Sequence, residues 1–462
     1  MNMPSLESRD GLAIADGRIA EFRRAFSGDV ILPGDAGYDA ARRIWNASID
    51  RYPGMIARCA ADADVAHAVR FARADDLVVA VRGGGHNVGG RALCDRGLVI
   101  DLSAMRGVRV DPDRRTARVQ GGATLADVDR ETHRFGLAVP LGVVSRTGVG
   151  GLTLGGGVGW LVRKYGLTCD NVLSFELVTA DGRTLTASAE ENPDLFWALR
   201  GGGGNFGVVT SFLYRAHPVS TVLGGLIVHA RDQAGPVLRH YRHVMQSAPD
   251  ELTAYAGFIT TPDGVPAMAV IACHCGEEAE AERAMRPLRE FGHPLLDAIQ
   301  RMPFPTMQQL LDDAFPDGTY NYWKSTFIRD LSDEVIDLLV EHASRARSPL
   351  SAVVIELYGG AADRVGDADT AFAQRRAGYD VGIMAQWTEP PETDEHTAWA
   401  RGLSQALEPH SSGGYLLNFL GEEGEDTVRR AFGGNYPRLA ELKRRYDPTN
   451  FFRLNQNIQP AA

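Results

Sequence analysis

Three dense glycine clusters constrain this chain more than any other feature. They are VRGGGHNVGGR at 81–91, TGVGGLTLGGGVGW at 147–160 and GGGGNFG at 201–207. Glycine makes up 51 of the 462 residues, about 11% against a usual ~7%. Because glycine costs up to ~1 kcal/mol inside a regular element, this density predicts tight turns or close approach of the backbone to a ligand. Runs of free amide N–H groups of this kind can hold a pyrophosphate.

The third cluster contains the dinucleotide-binding pattern G-x-G-x-x-G, at Gly202, Gly204 and Gly207. A Rossmann fingerprint needs a strand, the glycine turn and a helix in that order. Here the helix-like segment DLFWALR precedes the turn, and the strand-like segment VVTSFLYRA follows it. The P-loop pattern G-x-x-x-x-G-K-[ST] does not occur in the sequence. The glycines therefore do not indicate an ordinary NAD or ATP fold.

Charge and cysteine content narrow the classes of partner. Lys and Arg number 48 against 59 Asp and Glu, and this net charge of -11 would repel a nucleic acid backbone. No signal-like segment and no run of ~18 apolar residues occurs, so we expect a cytoplasmic protein without a membrane partner.

The five cysteines do not form a disulfide framework. Cys273-His274-Cys275 lacks the second ligand pair of a zinc site and lies in a predicted strand, so no metal is expected.

The chain is expected to form two domains and a closing segment. Residues 1–218 alternate short strand-like and helix-like segments, which indicates an α+β domain. Residues 219–424 alternate longer strands and helices, which predicts an antiparallel sheet with helices on one face. Residues 425–462 resemble an amphipathic segment that returns to the first domain. No low-complexity linker occurs, so the domains are expected to pack against each other.

Three short motifs in the first domain predict local structure. Thr124, with Asp127 three residues later, predicts a helix start. Asp181-Gly182 lies between two alternating segments and predicts a hairpin with a type I′ turn. Asn192, followed by Pro193, predicts the N-cap and first position of another helix.

A single histidine, His86, lies inside the first glycine cluster. Its neighbours in sequence provide almost no side-chain packing, so we expect an accessible imidazole. A neutral histidine nitrogen can act as a nucleophile, a metal ligand or an acid–base group. The residues alone leave these three roles open.

Several separated blocks resemble one known family, the FAD-linked oxidases of the vanillyl-alcohol oxidase and para-cresol methylhydroxylase type. Within it, the chain is most similar to the berberine-bridge-enzyme-like branch. The blocks are RGGGHN at 82–87, the glycine run at 147–160 with RKYGLTCDN at 163–171, NPDLFWALRGGGGNFGVVT at 192–210 and YDPTNFFRLNQNI at 446–458. The resemblance implies a two-domain α+β fold of the vanillyl-alcohol-oxidase type, with an antiparallel-sheet substrate domain covered by helices.

The resemblance also implies FAD as cofactor, bonded covalently to His86. Relatives with a second link carry a cysteine at the position of Val144, so a single link is expected, and Cys169 is expected to be an ordinary buried thiol. Val149 occupies a position that the resemblance associates with oxygen access. The other residues expected to bind the cofactor are Arg82, Gly83, Gly84, Gly85, Asn87, Ser145, Thr147, Gly148, Gly151, Gly155, Gly157, Tyr165, Val209, Asn455 and Asn457.

Candidate catalytic residues lie in the second domain. Glu356 and Tyr358 are two residues apart on a predicted strand and share a face, in the register where nicotine-oxidase members place an active-site glutamate. Apolar neighbours would raise the pKa of Glu356, although a Glu at a strand edge can also point to solvent. Tyr320 and Tyr322 share a face on another predicted strand, and Asn418 is a candidate for orienting substrate. Trp323 and Phe419 are expected to form core or pocket walls.

The resemblance, together with these candidate residues, implies an oxidase that transfers a hydride from a small aromatic, alkaloid-like or polyketide-like substrate to flavin N5, with O2 as acceptor and H2O2 as product. Two alternatives stay open. One is a flavin-dependent monooxygenase of secondary metabolism, and the other is a flavin-binding scaffold without turnover.

Overall fold

The computed structural model describes residues 5–421 and 423–462, and its first sheet carries the first glycine cluster. The four strands are β1 (Asp29–Ile31), β2 (Met55–Arg58), β3 (Val79–Arg82) and β4 (Leu98–Asp101), in the order β1-β2-β4-β3. Strands β2, β4 and β3 are parallel, and most of their apolar residues are buried, as is typical of parallel sheets. Three helices accompany this sheet: α1 (Asp16–Ala25), α2 (Tyr38–Ala41) and α3 (Asp62–Ala74).

A second sheet of five antiparallel strands completes the first region, in the order β5-β6-β9-β7-β8. Its strands are β5 (Val108–Asp111), β6 (Thr116–Gln120), β7 (Val172–Val178), β8 (Thr184–Ser188) and β9 (Val208–Arg215). Its helices are α4 (Leu125–His133), α5 (Val149–Leu154), α6 (Val162–Tyr165) and α7 (Pro193–Leu199). Helix α5 lies within the second glycine cluster, so that cluster lies beside the core of this sheet.

The three local motifs are confirmed in position and corrected in detail. Thr124 precedes α4, and its N–H and hydroxyl both donate to the Asp127 carboxylate, at 2.9 and 2.8 Å. The hairpin between β7 and β8 forms, but only Gly182 has a positive φ, of 77°. Because a type I′ turn needs positive φ at both central residues, the predicted turn type is wrong. Asn192 occupies the N-cap of α7, yet its amide donates to the Thr186 carbonyl instead of capping the helix.

The second region is an eight-stranded antiparallel sheet, in the order β13-β10-β12-β11-β16-β17-β15 with β14 paired to β10. Its strands are β10 (Thr221–Ala230), β11 (Leu252–Thr260), β12 (Pro266–His274), β13 (Leu296–Asp297), β14 (Gln300–Pro303), β15 (Tyr320–Ile328), β16 (Ala352–Leu357) and β17 (Tyr379–Trp387). The helices of this region are α8 (Ala234–Gln246), α9 (Glu278–Arg289), α10 (Phe304–Gln308), α11 (Asp333–Ala343), α12 (Gly360–Arg364) and α13 (Thr393–Leu407).

One face of this large sheet is covered by helices, as predicted. The apolar sides of α8, α9, α11 and α13 form one core with alternate residues of the strands, among them Val270, Ile355 and Ile383. The opposite face of the sheet packs toward the first region. Cys273 and His274 lie at the end of β12 with both side chains buried, and the part of the chain that the structure describes contains no metal-binding cluster. All five cysteines are free thiols.

The chain ends with α14 (Glu425–Phe432), α15 (Tyr436–Tyr446) and an extended tail. The buried ammonium of Lys443 donates to the Asp447 carboxylate at 2.6 Å and to the carbonyls of Asn205 and Phe452. Burial lowers the pKa of Lys443, and Asp447 opposes that shift. This one cation therefore ties the tail to the third glycine cluster. The proposed domain boundaries at 218 and 424 remain predictions. No helix among the described residues is long and apolar enough to cross a membrane.

Replacing Asp447 with Ala is expected to destabilise the fold by ~3–5 kcal/mol, because it leaves the Lys443 ammonium buried without a counter-charge. Urea unfolding followed by tryptophan fluorescence would measure this loss. The matched control is Glu425→Ala, which breaks the exposed Glu425–Arg429 pair on α14 and should have little effect. Equal midpoints for wild type and Asp447→Ala would contradict the assignment.

Candidate active site

A cavity of about 360 Å³ lies between the glycine clusters and the helix-free face of the large sheet. Both regions and the tail contribute to its walls. The predicted cofactor-binding residues that line it are Gly83, Gly84, Gly85, His86, Asn87, Val144, Thr147, Gly148, Gly151, Gly155, Val209 and Asn455. Glu356 and Asn418 are the catalytic candidates that line it.

The first two glycine clusters form their wall by direct contact between backbones. A Cβ added to Gly84 would lie 2.6 Å from the Gly148 Cα, and one added to Gly148 would lie 2.7 Å from the Gly84 Cα. No side chain fits at either position. Gly85 has a φ of 68°, which is the left-handed conformation that favours glycine. The density of glycine is therefore explained by backbone packing that holds two loops on one wall of the cavity.

His86 lies in this wall with its ring stacked on Trp45, at 4.5 Å between centroids and 14° between planes. The residues next to His86 in sequence provide little packing, as expected, but Trp45, from a segment distant in sequence, covers one face of the ring. Burial lowers the pKa of His86 to about 4, and the positive charge of Arg146 acts in the same direction. Its Nε2 is buried and has no hydrogen-bond partner among the described residues. At neutral pH the ring is therefore uncharged and has a free nitrogen.

The segment that follows Val144 is anchored away from the cavity. The N–H and hydroxyl of Ser145 donate to the Asp312 carboxylate at 2.8 and 2.5 Å, which directs this side chain away from the cavity wall. Val149 has its side chain in the core of the second sheet, and its N–H donates to the Ala123 carbonyl at 2.9 Å. Ser145 and Val149 are therefore not part of the lining, although Thr147 between them is.

Four other predicted residues support the cavity from behind. Arg82 is buried and donates to Asp101 at 2.6 Å, which fixes the start of the first glycine loop. Tyr165 stacks on a histidine, with 3.9 Å between ring centroids. Gly157 packs against the side chain of a threonine, and Asn457 lies in the tail. None of these four lines the cavity.

An unsatisfied amide oxygen marks the end of the cavity near the tail. The Asn455 amide donates to the Gly204 carbonyl at 2.9 Å, while its Oδ1 is buried without a partner in the described chain. Buried acceptors of this kind are rare without a partner, so this oxygen fits a ligand that carries hydrogen-bond donors. The Asn457 Oδ1 also has no partner among the described residues, but Asn457 lies outside the lining.

Glu356 lies on the opposite wall, in β16. Its side chain is only 5% exposed, so the alternative of a glutamate pointing to solvent is wrong. Strand pairing places Tyr255 and Asp380 directly beside it, on β11 and β17. Burial, followed by the charge of Asp380, raises the pKa of Glu356 well above its ordinary value. Tyr358 is on the same face but outside the lining, where its hydroxyl donates to Asp380 at 3.1 Å.

The two tyrosines of β15 are not brought to the cavity. Tyr320 stacks on Trp387 in the helix-covered core, and the Tyr322 hydroxyl accepts a hydrogen bond from Arg401 on α13 at 3.1 Å. Their neighbour Trp323 lines the cavity instead, because successive side chains of a strand alternate between faces. The prediction that Tyr320 and Tyr322 act on substrate is therefore corrected.

Asn418 and the aromatic walls complete the site. The Asn418 amide donates to the Gly151 and Leu152 carbonyls at 3.3 and 3.2 Å, and its Oδ1 is buried without a partner among the described residues. Trp323 contacts Trp45 and Phe419 edge-on, at 5.2 and 5.3 Å. Three residues near the site, Trp45, Tyr255 and Asp380, carry no signal in the sequence. Strand pairing brings Tyr255 and Asp380 beside Glu356, and the fold of the chain brings Trp45 against His86.

These features fit a large flavin cofactor. The paired glycine loops leave one wall of the cavity almost without side chains, and the uncharged ring of His86 lies in that wall. The unpartnered Asn455 Oδ1 near the tail is a suitable acceptor for a ring N–H or hydroxyl donor of a dinucleotide.

Comparison with known proteins agrees with this geometry. Residues 53–188 match the FAD binding domain family, and residues 415–459 match the family described as berberine and berberine like. The chain is 34% identical over 461 residues to (R)-6-hydroxynicotine oxidase of Paenarthrobacter nicotinovorans, covering 95% of this chain and 98% of the relative. It belongs to the berberine-bridge-enzyme-like FAD-linked oxidoreductases. This confirms the family resemblance, FAD as cofactor and the enzyme class.

Other members of the family agree with that assignment. An FAD-linked oxidoreductase of Dictyostelium discoideum is 32% identical over 447 residues, with 96% of this chain and 97% of the relative covered. The crystal structure of 6-hydroxy-D-nicotine oxidase from Arthrobacter nicotinovorans superposes with a TM-score of 0.87 at 33% identity, covering 94% of this chain and 98% of that one. The predicted fold class, the two-domain vanillyl-alcohol-oxidase type, is thereby confirmed.

Replacing Gly84 with Ala is expected to separate the two glycine loops, since the new methyl group would overlap the backbone of Gly148. Overpacking of this kind costs about 1–3 kcal/mol, and we expect a lower melting temperature together with a reduced flavin content per chain. Thermal unfolding and visible absorbance measure the two effects. Gly402→Ala, in α13 with free space around it, is the control and should stabilise the protein slightly. A Gly84→Ala protein with wild-type stability and flavin content would contradict this account.

Proposed function

We propose that the chain is an FAD-dependent oxidase that removes a hydride from a small aromatic, alkaloid-like or polyketide-like substrate and uses O2 as electron acceptor. One observation carries the proposal. Glu356 is the only carboxyl group among the described residues that line the cavity, and the other lining residues are mostly glycines and apolar side chains. Bound FAD supplies the hydride acceptor and the route of the electrons to O2, giving H2O2.

The proposed attachment of the cofactor is a single covalent bond through His86. The low pKa keeps the His86 imidazole uncharged and nucleophilic at neutral pH, and stacking on Trp45 fixes the plane of the ring. Val144 lines the same wall and offers no thiol for a second bond. Cys169 is fully buried, and burial raises the pKa of its thiol, so it does not provide a replacement.

The proposed substrate binds between the glycine wall and the aromatic wall. Trp323, Phe419 and Met384 provide flat or adaptable apolar contacts, which suits an aromatic ring. Glu356 then accepts a proton from a hydroxyl or amine of the substrate as hydride leaves. A relative named (R)-6-hydroxynicotine oxidase supports a small ring-containing amine as the first compound to test.

Replacing His86 with Ala is expected to release the flavin. After acid precipitation, the wild-type pellet should stay yellow, whereas the variant should lose its colour to the supernatant. His217→Ala is the matched control, because the pKa of His217 is also lowered to about 4 by burial but its ring bonds to Asn171 outside the cavity. Free flavin in the wild-type supernatant would refute the covalent bond.

Replacing Glu356 with Gln is expected to slow anaerobic bleaching of the flavin by ~10²–10⁴, because the variant keeps the shape of the site but cannot accept a proton. Stopped-flow absorbance with (R)-6-hydroxynicotine, and with a panel of amines and phenols, measures this rate. Glu176→Gln, in β7 of the second sheet, is the control and should bleach at the wild-type rate. Unchanged bleaching in Glu356→Gln would remove this residue from the mechanism.

Product analysis tests the oxidase itself. An oxidase releases one H2O2 per substrate and incorporates no label from ¹⁸O2, whereas a monooxygenase transfers label to the product. Label in the product would replace the proposal with the monooxygenase alternative. A protein that binds FAD but bleaches with no compound of the panel would support the scaffold alternative.

A further inference from the structure

Asp380 lies directly beside Glu356 but outside the cavity. The antiparallel register of β16 and β17 pairs the two residues, and residues paired in this way share a face with their Cβ atoms about 4.5–5.5 Å apart. Asp380 is fully buried and does not line the cavity. Any effect of Asp380 on a bound substrate must therefore act through Glu356.

The two carboxyl groups differ in their hydrogen bonds. The Ser325 hydroxyl donates to one oxygen of Asp380 at 2.6 Å, and the Tyr358 hydroxyl donates to the other at 3.1 Å. No described residue donates to the Glu356 carboxyl group. Donated hydrogen bonds favour the ionised form, and two adjacent buried carboxyl groups cannot both ionise at low cost. Asp380 is therefore ionised more easily than Glu356. A proton shared by the pair resides mainly on Glu356.

Among the described residues, neither carboxyl group of the pair forms an ion pair with a cation. Tyr255 on β11 and Tyr358 after β16 lie beside the pair, and burial raises the pKa of both hydroxyls, so they are neutral. Tyr241 on α8 lies at the opposite face of the sheet, and burial raises the pKa of its hydroxyl too. Burial raises the pKa of Asp380 to about 6, and the Ser325 and Tyr358 hydroxyls oppose that shift.

We propose that Asp380 is a positioning residue that shares one proton with Glu356 and thereby sets the pH above which Glu356 accepts a proton from the substrate. This inference rests on the proposed role of Glu356. Below that pH the pair holds its proton on Glu356, and substrate oxidation is slow. Above it, Glu356 is ionised and ready to act, so the rate rises with pH.

Infrared titration of the substrate-free holoenzyme tests the shared proton directly. A protonated carboxyl group gives a carbonyl band, and the band that is missing in Glu356→Gln belongs to Glu356. In the wild type, this band should disappear at a pH well above the ordinary carboxyl range. In Asp380→Asn, which keeps the side-chain shape, its midpoint should fall by at least about one pH unit, a tenfold change in proton affinity. Asp129→Asn is the control, because Asp129 is a second buried carboxyl group with a raised pKa outside the cavity lining. An unchanged midpoint in Asp380→Asn would overturn the proposal.

Tyr358→Phe is a second variant for the case in which Asp380→Asn does not fold. It removes one donor from Asp380 without changing a charge, so Asp380 takes more of the shared proton and the Glu356 midpoint should fall by a smaller amount. A midpoint that stays or rises would count against the proposal.

The pH profile of anaerobic bleaching, with (R)-6-hydroxynicotine as probe, provides the kinetic readout. The rising limb is the pH range over which the bleaching rate increases. It should lie at lower pH in Asp380→Asn than in the wild type, and in Asp380→Glu it should lie close to the wild-type position. A purely structural role would lower the rate at every pH without moving the limb, which would overturn the proposal. If the probe is not oxidised, the proposed substrate fails, and the infrared titration still decides the role of Asp380.

Discussion

The contact between the backbones of Gly84 and Gly148 is the constraint on which the rest of the site depends. It can form only because neither residue has a Cβ, and it brings the end of a parallel strand against the start of α5. His86 follows one glycine and the lining residue Gly151 follows the other, so both take their positions from this contact. The buried Arg82–Asp101 pair holds the same loop from behind. A wall built in this way is rigid without using any side chain that would fill the cavity.

The large sheet closes the cavity through hydrogen bonds that cross between the two regions. The Tyr255 hydroxyl donates to the Gly159 carbonyl at 3.1 Å, and the Asn418 amide donates to two carbonyls of α5. Ser145 reaches Asp312 from the other side. Each bond satisfies a polar group that closure of the cavity removes from water, and a buried group left unpaired would cost about 1–3 kcal/mol. The helix-free face of the sheet is therefore held at a defined distance from the glycine wall.

Sequence periodicity predicted which residues share a face, but not which face meets the cavity. Glu356 and Tyr358 share one face of the sheet, as predicted, and that face is directed to the first region. Tyr320 and Tyr322 also share a face, yet theirs meets α13, because the register of β15 puts Trp323 on the cavity side. Motifs in the glycine clusters were informative because close backbone approach demands glycine at fixed positions. Asp380 carries no such local signal, since its importance arises from pairing with Glu356 across β16 and β17.

An acidic chain that binds an anionic dinucleotide needs local attraction to overcome its overall charge of -11. Two arginines near the glycine wall are already engaged: Arg82 is neutralised by Asp101, and Arg146 donates to the carbonyls of Asp312 and Phe315. Arg91 lines the cavity and places a positive charge beside it. Backbone N–H groups are a further source of attraction, and they act only where side chains are absent and the chain turns sharply. Among the described residues, Glu356 and Asp380 form no ion pair, and burial raises the pKa of both carboxyl groups. Glycine backbone on one wall and a buried carboxyl pair behind the other thus face each other across a cavity lined mostly by glycines and apolar side chains.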